Sequence, residues 1–373
     1  MDFMLSHEQE EFRQTIRRFV AEVAPMSSLR DVVTTECGYD AAVWTRMNRE
    51  LGLAGLLVPE EYGGAEATMV EAVIAMEELG RAVVPCPLFS TVALGVVPIL
   101  TAASQEQKKE LLPEIAEGIR TVTTAIKDWS PAGRGTVAMR ANAVDGAVTL
   151  TGTKVQVIDG HSADTLLVLA LPPGDSQDPA WYLVAGDAAG VRRDRVDTLD
   201  LTRPMATLTF DAVSAVPLGC AQRVDMQTDR VLNMAKVLLA AEMVGGTDGA
   251  LDMSVTYARL RHQFNRPIGS FQAIKHRCAE AAVELDSARA LTLYAAHLAT
   301  LSSAELAKVA PMALATAASA FDFMASWNIQ IHGGIGFTWE HDAHLYFRRA
   351  KADRVLLGTV SDQWLEVADR IGF

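Results

Sequence analysis

The sequence predicts a chain in three parts: helices, then a small all-β unit, then a bundle of long helices. Three observations predict it. Apolar residues recur at helical spacing up to about Gly118, alternation and β-branched residues take over from about Val122, and helical spacing returns in long segments after Pro217. The 373 residues are enough for about two or three packed units, and half of them are hydrophobic against 21% charged, a globular balance. These changes of period put the parts at 1–118, 119–218 and 219–373.

Each element has a local reason. Ser6 and Gln9 form a capping box ahead of a stripe of Phe12, Ile16, Phe19 and Val20. Asp40 caps a helix carrying Trp44, Met47 and Leu51 that stops at Gly52. Thr68 with Glu71 opens another that stops at Gly80, and Ser104 with Gln107 opens a short one. Pro59 to Gly64 has the turn chemistry of an exposed loop. The uncharged run from Ala82 to Ser104 is long enough for a bilayer, yet Pro85, Pro87 and Pro98 interrupt it, so it reads as a buried loop and helix and not as a membrane span. In the middle part, Ala141 to Val144, Asp145-Gly146, then Val148 and Leu150 read as a hairpin. Leu166 to Leu171, Trp181 to Val184 and Ala206 to Phe210 are further strands. The last part reads as helices over Asp229 to Leu260, Phe271 to Leu298 and Ser302 to Ile331, the last opened by Ser302 and Glu305.

The formal net charge of −13 repels phosphate backbones and points away from nucleic acid as a partner. Cys37, Cys86, Cys220 and Cys278 are scattered without a CxxC pair, and read as reduced core residues with no metal site. Met1 to Glu10 lack a basic-then-apolar signal pattern, so a cytoplasmic protein is expected. His341 and His344 read as surface or interface groups in preference to metal ligands.

Two segments carry chemistry. Arg261 to Gln272 (RHQFNRPIGSFQ) ends one helix, turns and begins the next, placing the forks of Arg261 and Arg266 beside a helix start where backbone N–H groups also favour an anion. By itself it reads sooner as an ordinary helix connection with solvated arginines. Gln330 to Phe337 (QIHGGIGF) closes an apolar helix. Its paired glycines let backbone approach a ligand, and they suit an ordinary helix C-cap as well.

Together these segments resemble the acyl-CoA dehydrogenase family, with further matches in the run from Gln330 to Lys351, in LLGT at Leu356 to Thr359, in PEEYGG at Pro59 to Gly64 and in EELG at Glu77 to Gly80. The resemblance covers essentially the whole chain. It implies an acyl-CoA dehydrogenase-like fold: an N-terminal all-α domain, a small β-barrel or sandwich domain and a C-terminal four-helix bundle. It also implies FAD, with Arg261, Phe264 and Gln272 reaching the adenosine diphosphate half of a flavin bound mainly by a neighbouring subunit. Gln330, Gly333 and Gly334 would extend that contact, and Thr359 resembles the threonine beside the flavin. Family chemistry removes a proton α to a thioester while hydride leaves the β carbon for the flavin, giving a trans-2-enoyl-CoA. That calls for a poised carboxylate base.

The sequence departs from the family pattern here. Leu357 stands where the commonest glutamate base would be, and Ala235 at the alternative position. Among nearby acids, Glu242 follows Ala235 by two turns on the same helix face, about 10 Å along. It lies in the apolar run Val237 to Val244, which makes it the candidate base; the alternative, which the residues favour, is that it pairs with an arginine across the bundle or lies against the nucleotide. Asp229 reads as an N-cap and Asp362 as a first-turn charge. Ile126-Lys127-Asp128-Trp129-Ser130-Pro131 replaces the family's Thr-Glu-Pro stretch, and Gln156 and Ile158 replace the flavin-packing tryptophan and threonine. Two functions are expected. One is FAD-dependent dehydrogenation of an acyl-CoA, such as a steroid side chain or other bulky acid, in a homo-oligomer that passes electrons to an electron-transfer flavoprotein. The other is a catalytically incomplete subunit of an α2β2 heterotetramer that completes another chain's FAD site.

Overall fold

The computed structural model of this chain describes residues 5–128, 137–144, 147–219 and 224–373. Cys220, the Asp145-Gly146 turn and Trp129-Ser130-Pro131 lie outside them. The helices α1 (His7–Val23), α2 (Leu29–Val32), α3 (Ala41–Leu51), α4 (Met69–Arg81), α5 (Val97–Ala102) and α6 (Gln105–Ala116) come first. Strands β1 (Val122–Ala125), β2 (Arg140–Val144), β3 (Ala147–Ile158), β4 (Thr165–Ala170), β5 (Ala180–Ala185), β6 (Val191–Val196) and β7 (Met205–Pro217) follow. Then come α7 (Val224–Leu260), the two-residue strands β8 (His262–Gln263) and β9 (Arg266–Pro267), α8 (Gln272–Thr300), α9 (Leu306–His332), α10 (Ala343–Asp353) and α11 (Val360–Ile371).

Capping chemistry sets many helix starts. Ser6 with Gln9, Thr68 with Glu71 and Ser104 with Gln107 all form the reciprocal box, because each Ser or Thr oxygen satisfies an otherwise orphaned N–H of the first turn. Asp40 does so alone for α3, which stops at Gly52 in the left-handed conformation. Two cap expectations are corrected. Ser302 sits at φ 52 outside α9, whose N-cap is Glu305 with no side-chain bond. Asp229 is inside α7, which begins at Val224.

The chain forms two compact units. One comprises Thr34–Ala67 and Pro85–Leu232. Its sheet has the order β1-β4-β5-β7-β3-β2 with β6 also on β7; β1 and β4 run parallel and the other pairs antiparallel. Burial on both faces explains β4, buried at every residue, and β1 likewise. β6, Val-Arg-Arg-Asp-Arg-Val, is missing from the sequence expectation because it is mostly exposed and four of its six residues are charged. The run from Ala82 is buried as expected, with Phe89–Val96 π-helical. Pro59 to Gly64 is less exposed than its composition suggests: Tyr62 is buried and its hydroxyl donates to Gln105 at 2.8 Å.

The other unit comprises Met1–Val33, Thr68–Val84 and Asn233–Phe373. α9 is its central helix, packed by α8, α10 and α11. By length and composition Leu306–Phe337 could cross a membrane, but 67% of that window is buried, as in a core helix. α7 lies against α9 through Gly246, where a Cβ would come within 2.4 Å of Phe321, and through Ser254, whose hydroxyl donates to the buried Asn328 side chain at 2.8 Å. α4 and α7 touch backbone to backbone: a Cβ on Gly80 would sit 2.1 Å from the Glu242 carbonyl oxygen, and one on Gly245 would sit 1.8 Å from that of Glu77. Beside that contact Glu77 and Glu78 are buried and answered by Arg13 and Arg17 of α1 and Arg289 of α8.

The cysteine expectation is corrected in one respect. Of the cysteines expected in the core, Cys37 is exposed and Cys86 and Cys278 are half-buried.

Candidate functional site

Both motif segments belong to the helical unit, and the fold brings them together. After α7 ends, Arg261 accepts the Ile268 N–H on its carbonyl at 2.8 Å, closing the β8–β9 hairpin. The two tip residues, Phe264 and Asn265, have φ 51 and 61, the left-handed pair that a type I′ turn requires. A phenylalanine there is strained, and this one is 86% exposed. Its ring meets Phe271 edge-on with centroids 6.1 Å apart, while the Arg266 guanidinium lies 4.0 Å from the Phe271 centroid.

An open groove of about 470 Å³ runs between this hairpin and the end of α9, lined by Tyr257, Arg261, Phe264, Phe271, Gly333 and Gly334 among others. Gly333 ends α9 with φ 66, and a Cβ on either glycine would meet nothing within 4 Å, so the glycines leave bare backbone on an open wall. The Arg261 side chain is exposed. Gln272 and Gln330 are also exposed, each next in the chain to a lining residue, Phe271 and Ile331. Thr359 is not among the lining residues: it caps α11, its hydroxyl donating to Asp362 at 2.7 Å and accepting the Asp362 N–H at 3.2 Å. Thr359 and Asp362 are therefore a capping box.

The candidate base has a partner. Glu242 is buried on α7 and its carboxylate is held by the guanidinium of Arg349 on α10, itself buried. This is the arginine pairing across the bundle that stood as the alternative to a base. Ala235 is fully buried, and Leu357 is half-buried with its carbonyl accepting from Gln363 at 2.7 Å. Neither position offers a proton acceptor in its side chain.

In the β unit the matched strand positions are also distinctive. Gln156 has φ 57 and sits in an irregularity of the β3–β7 register between Lys154 and Val157. Its side-chain oxygen accepts from Lys127 Nζ at 2.5 Å. Below it, fully buried Lys154 bonds Asp128 at 2.7 Å and the Ile126 carbonyl at 3.0 Å, and burial pulls its ammonium below the ordinary 10.5 despite that carboxylate. Ile158 is buried.

Sequence reasoning missed His332 behind the groove. The His332 ring lies against Tyr257, with centroids 4.2 Å apart and planes tilted by 32°, and against His341, at 4.3 Å and 49°. His344 is buried, contrary to the surface expectation, with its ring against Trp339 at 4.7 Å. The signal that could have found His332 is the recurrence of histidine at His332, His341 and His344. Among the described residues no group of three His, Cys, Asp or Glu side chains could hold a metal ion.

A dinucleotide diphosphate asks for a cation, bare backbone and a flat apolar surface. Arg261, the glycine step and the Phe264–Phe271 pair supply them, so these residues fit such a group.

Comparison with known proteins gives the class, an FAD-dependent acyl-CoA dehydrogenase. The family model for the acyl-CoA dehydrogenase N-terminal domain matches residues 6–119 and that for its C-terminal domain residues 225–372. The chain belongs to the acyl-CoA dehydrogenase family, and FAD is its cofactor. It is 35% identical to acyl-CoA dehydrogenase IpdE2 of Mycobacterium tuberculosis H37Rv over 94% of this chain and 93% of that one. Among solved structures it is similar to a variant of the Tcur3481-Tcur3483 steroid acyl-CoA dehydrogenase, with a TM-score of 0.87, 30% identity and 98% and 97% of the two chains covered. It is also similar to the ChsE4-ChsE5 complex of Mycobacterium tuberculosis, with a TM-score of 0.89, 26% identity and 100% of this chain and 99% of that one covered.

Proposed function

We propose that this chain works in the α,β-dehydrogenation of a bulky acyl-CoA thioester, within an oligomer whose subunits complete one another's FAD sites. The observation that carries this reading is the groove, where the exposed Arg261 fork, bare backbone at Gly333 and Gly334 and the exposed Phe264 face are gathered from separated segments. In this reading Arg261 pairs with the diphosphate, Phe264 lies against a flat apolar part of the nucleotide, and Gln272 and Gln330 supply amide donors and acceptors at its edges. When bound, FAD takes the hydride from the β carbon of the acyl group. A steroid side chain or another bulky acid is the substrate class in keeping with the steroid enzyme among the similar structures. Electron-transfer flavoprotein is the acceptor the family resemblance suggests. Free thiols at Cys37, Cys86 and Cys278 are in keeping with a reducing, cytoplasmic setting.

One observation favours the narrower reading that this chain is the incomplete partner in an α2β2 assembly. Leu357 and Ala235 carry no carboxylate, and the carboxylate of Glu242 is engaged by Arg349. The proton acceptor would then stand on the other subunit type, and Glu242 would be a structural anion. Purifying the chain alone and with a gene-neighbour partner, then adding acyl-CoA anaerobically, separates the readings. Bleaching of the flavin by the single chain would end the incomplete-partner reading. Absence of flavin and bleaching both alone and with every partner tested would end the family-level function as well.

A further inference from the structure

We propose that His332, whose ring lies against those of Tyr257 and His341, is a positioning residue for the glycine step of the nucleotide groove, and that its charge state sets how tightly the groove holds a nucleotide. The proposal rests on the reading that the groove receives the ADP half of FAD. His332 is the last residue of α9 and directly precedes Gly333 and Gly334, so the seat of its ring fixes where their bare backbone lies. With Tyr257 it forms a wall shared by that groove and by a second hollow of about 360 Å³, lined also by Arg81, Asp252, His341 and Tyr346.

The hydrogen bonds define both neutral rings. His332 Nδ1 lies 2.8 Å from the Asn328 carbonyl oxygen, which only accepts, so Nδ1 carries the proton and Nε2 is bare. His341 Nδ1 accepts the Ala343 N–H at 3.1 Å, so its proton is on Nε2. Two neutral imidazoles sit easily with centroids 4.3 Å apart and planes tilted by 49°; two imidazolium ions at that distance repel. Burial pushes the titration of both rings below the ordinary 6.5, for His341 with Asp342 opposing and Arg30 assisting.

The surrounding charges offer little rescue to a protonated ring pair. Asp252 on α7 is the carboxylate in the second hollow, and it is already paired with Arg81 of α4 at 2.9 Å. Asp342 is paired with Arg30 at 2.7 Å. Tyr346 on α10 stays neutral, its hydroxyl donating to the Arg81 carbonyl and burial pushing its titration up. His344, beside Arg348, is also pushed down by burial, and Arg261 adds a further positive charge on the groove side.

A group whose titration is lowered in the packed state binds fewer protons there than when opened. The packed ring pair is therefore fully stable above about pH 6.5 and loses stability as pH falls through 6.5. Nucleotide holding should fall with it.

The test is FAD dissociation from the purified flavoprotein, co-expressed with its partner where needed, followed by flavin fluorescence at intervals between about pH 8 and 5.5. The wild type should bind FAD several-fold more weakly at pH 5.5 than at 7.5, because the opened ring takes up a proton that the packed one resists. In a His332→Phe, His341→Phe double variant that ratio should fall below about twofold, whatever its affinity at pH 8. Should the double variant not fold, His341→Phe alone must still reduce the ratio. A flat wild-type profile, or an undiminished ratio in either variant, overturns the proposal while FAD still binds at pH 8. An Arg261→Ala protein that holds FAD as tightly as wild type at pH 8 instead overturns the groove reading, and this proposal with it.

Discussion

Glu242 on α7 and Arg349 on α10 form a buried ion pair that ties two helices of the bundle. A pair of this kind is costly to break from one side, because the remaining charge is left in a low-dielectric place without its counter-charge. Arg349→Met should therefore destabilise the protein by about 3–5 kcal/mol, whereas a Glu242→Leu, Arg349→Met double change should recover most of that loss. Urea unfolding of the four proteins in the cycle measures it. Glu242→Gln should lower the unfolding midpoint yet leave flavin bleaching per bound FAD nearly unchanged; a loss of bleaching of about a hundredfold or more would restore Glu242 as the base.

The glycines divide into two kinds, and alanine substitution tells them apart. At Gly245 an added Cβ meets the Glu77 carbonyl oxygen at 1.8 Å, so Gly245→Ala should cost about 1–3 kcal/mol or more by forcing α4 and α7 apart. At Gly334 the same atom meets nothing, so Gly334→Ala should change stability by less than about 0.5 kcal/mol while weakening FAD retention. Thermal unfolding of the FAD-free protein and flavin titration read the two effects separately.

Arg261 is exposed, so Arg261→Ala should leave folding unchanged within about 0.5 kcal/mol. A charge-assisted bond is worth about 1.5–3 kcal/mol, so FAD affinity should fall by roughly ten- to a hundredfold. Arg261→Lys should recover only part of it, since an ammonium lacks the bidentate fork.

In the β unit Lys154 is a buried cation with a lowered titration. The unfolded chain binds more protons than the folded one on the acid side of 10.5, so this group makes stability rise with pH across that window. Lys154→Met should remove that share of the rise in alkaline urea curves. At neutral pH it should destabilise, because Asp128 keeps the N–H bonds from Ala138 and Met139 but loses its cation.

Local rules were enough for much of the secondary structure. A capping box needs only two side chains three residues apart, so Ser6, Thr68 and Ser104 announce their helices without help from the rest of the chain. β6 was illegible because its arginines follow no apolar alternation, and it is a strand only because β7 offers it hydrogen bonds. Phe264 gave no sign of a left-handed turn, since phenylalanine rarely adopts one; the pairing of His262 with Pro267 and of Gln263 with Arg266 imposes it.

What the sequence by itself determined was the order of helical and β segments, the family resemblance, and the residue types proposed for a nucleotide grip, Arg261, Phe264 and the Gly333–Gly334 step. Only the tertiary structure decided that those segments share one groove, that Glu242 is answered by Arg349, and that the His332 ring meets those of Tyr257 and His341. The physical reason is range. Caps and periodicity act within a turn or two of chain, whereas ion pairs, ring contacts and open glycine walls depend on which distant surfaces the packing of the helices brings together.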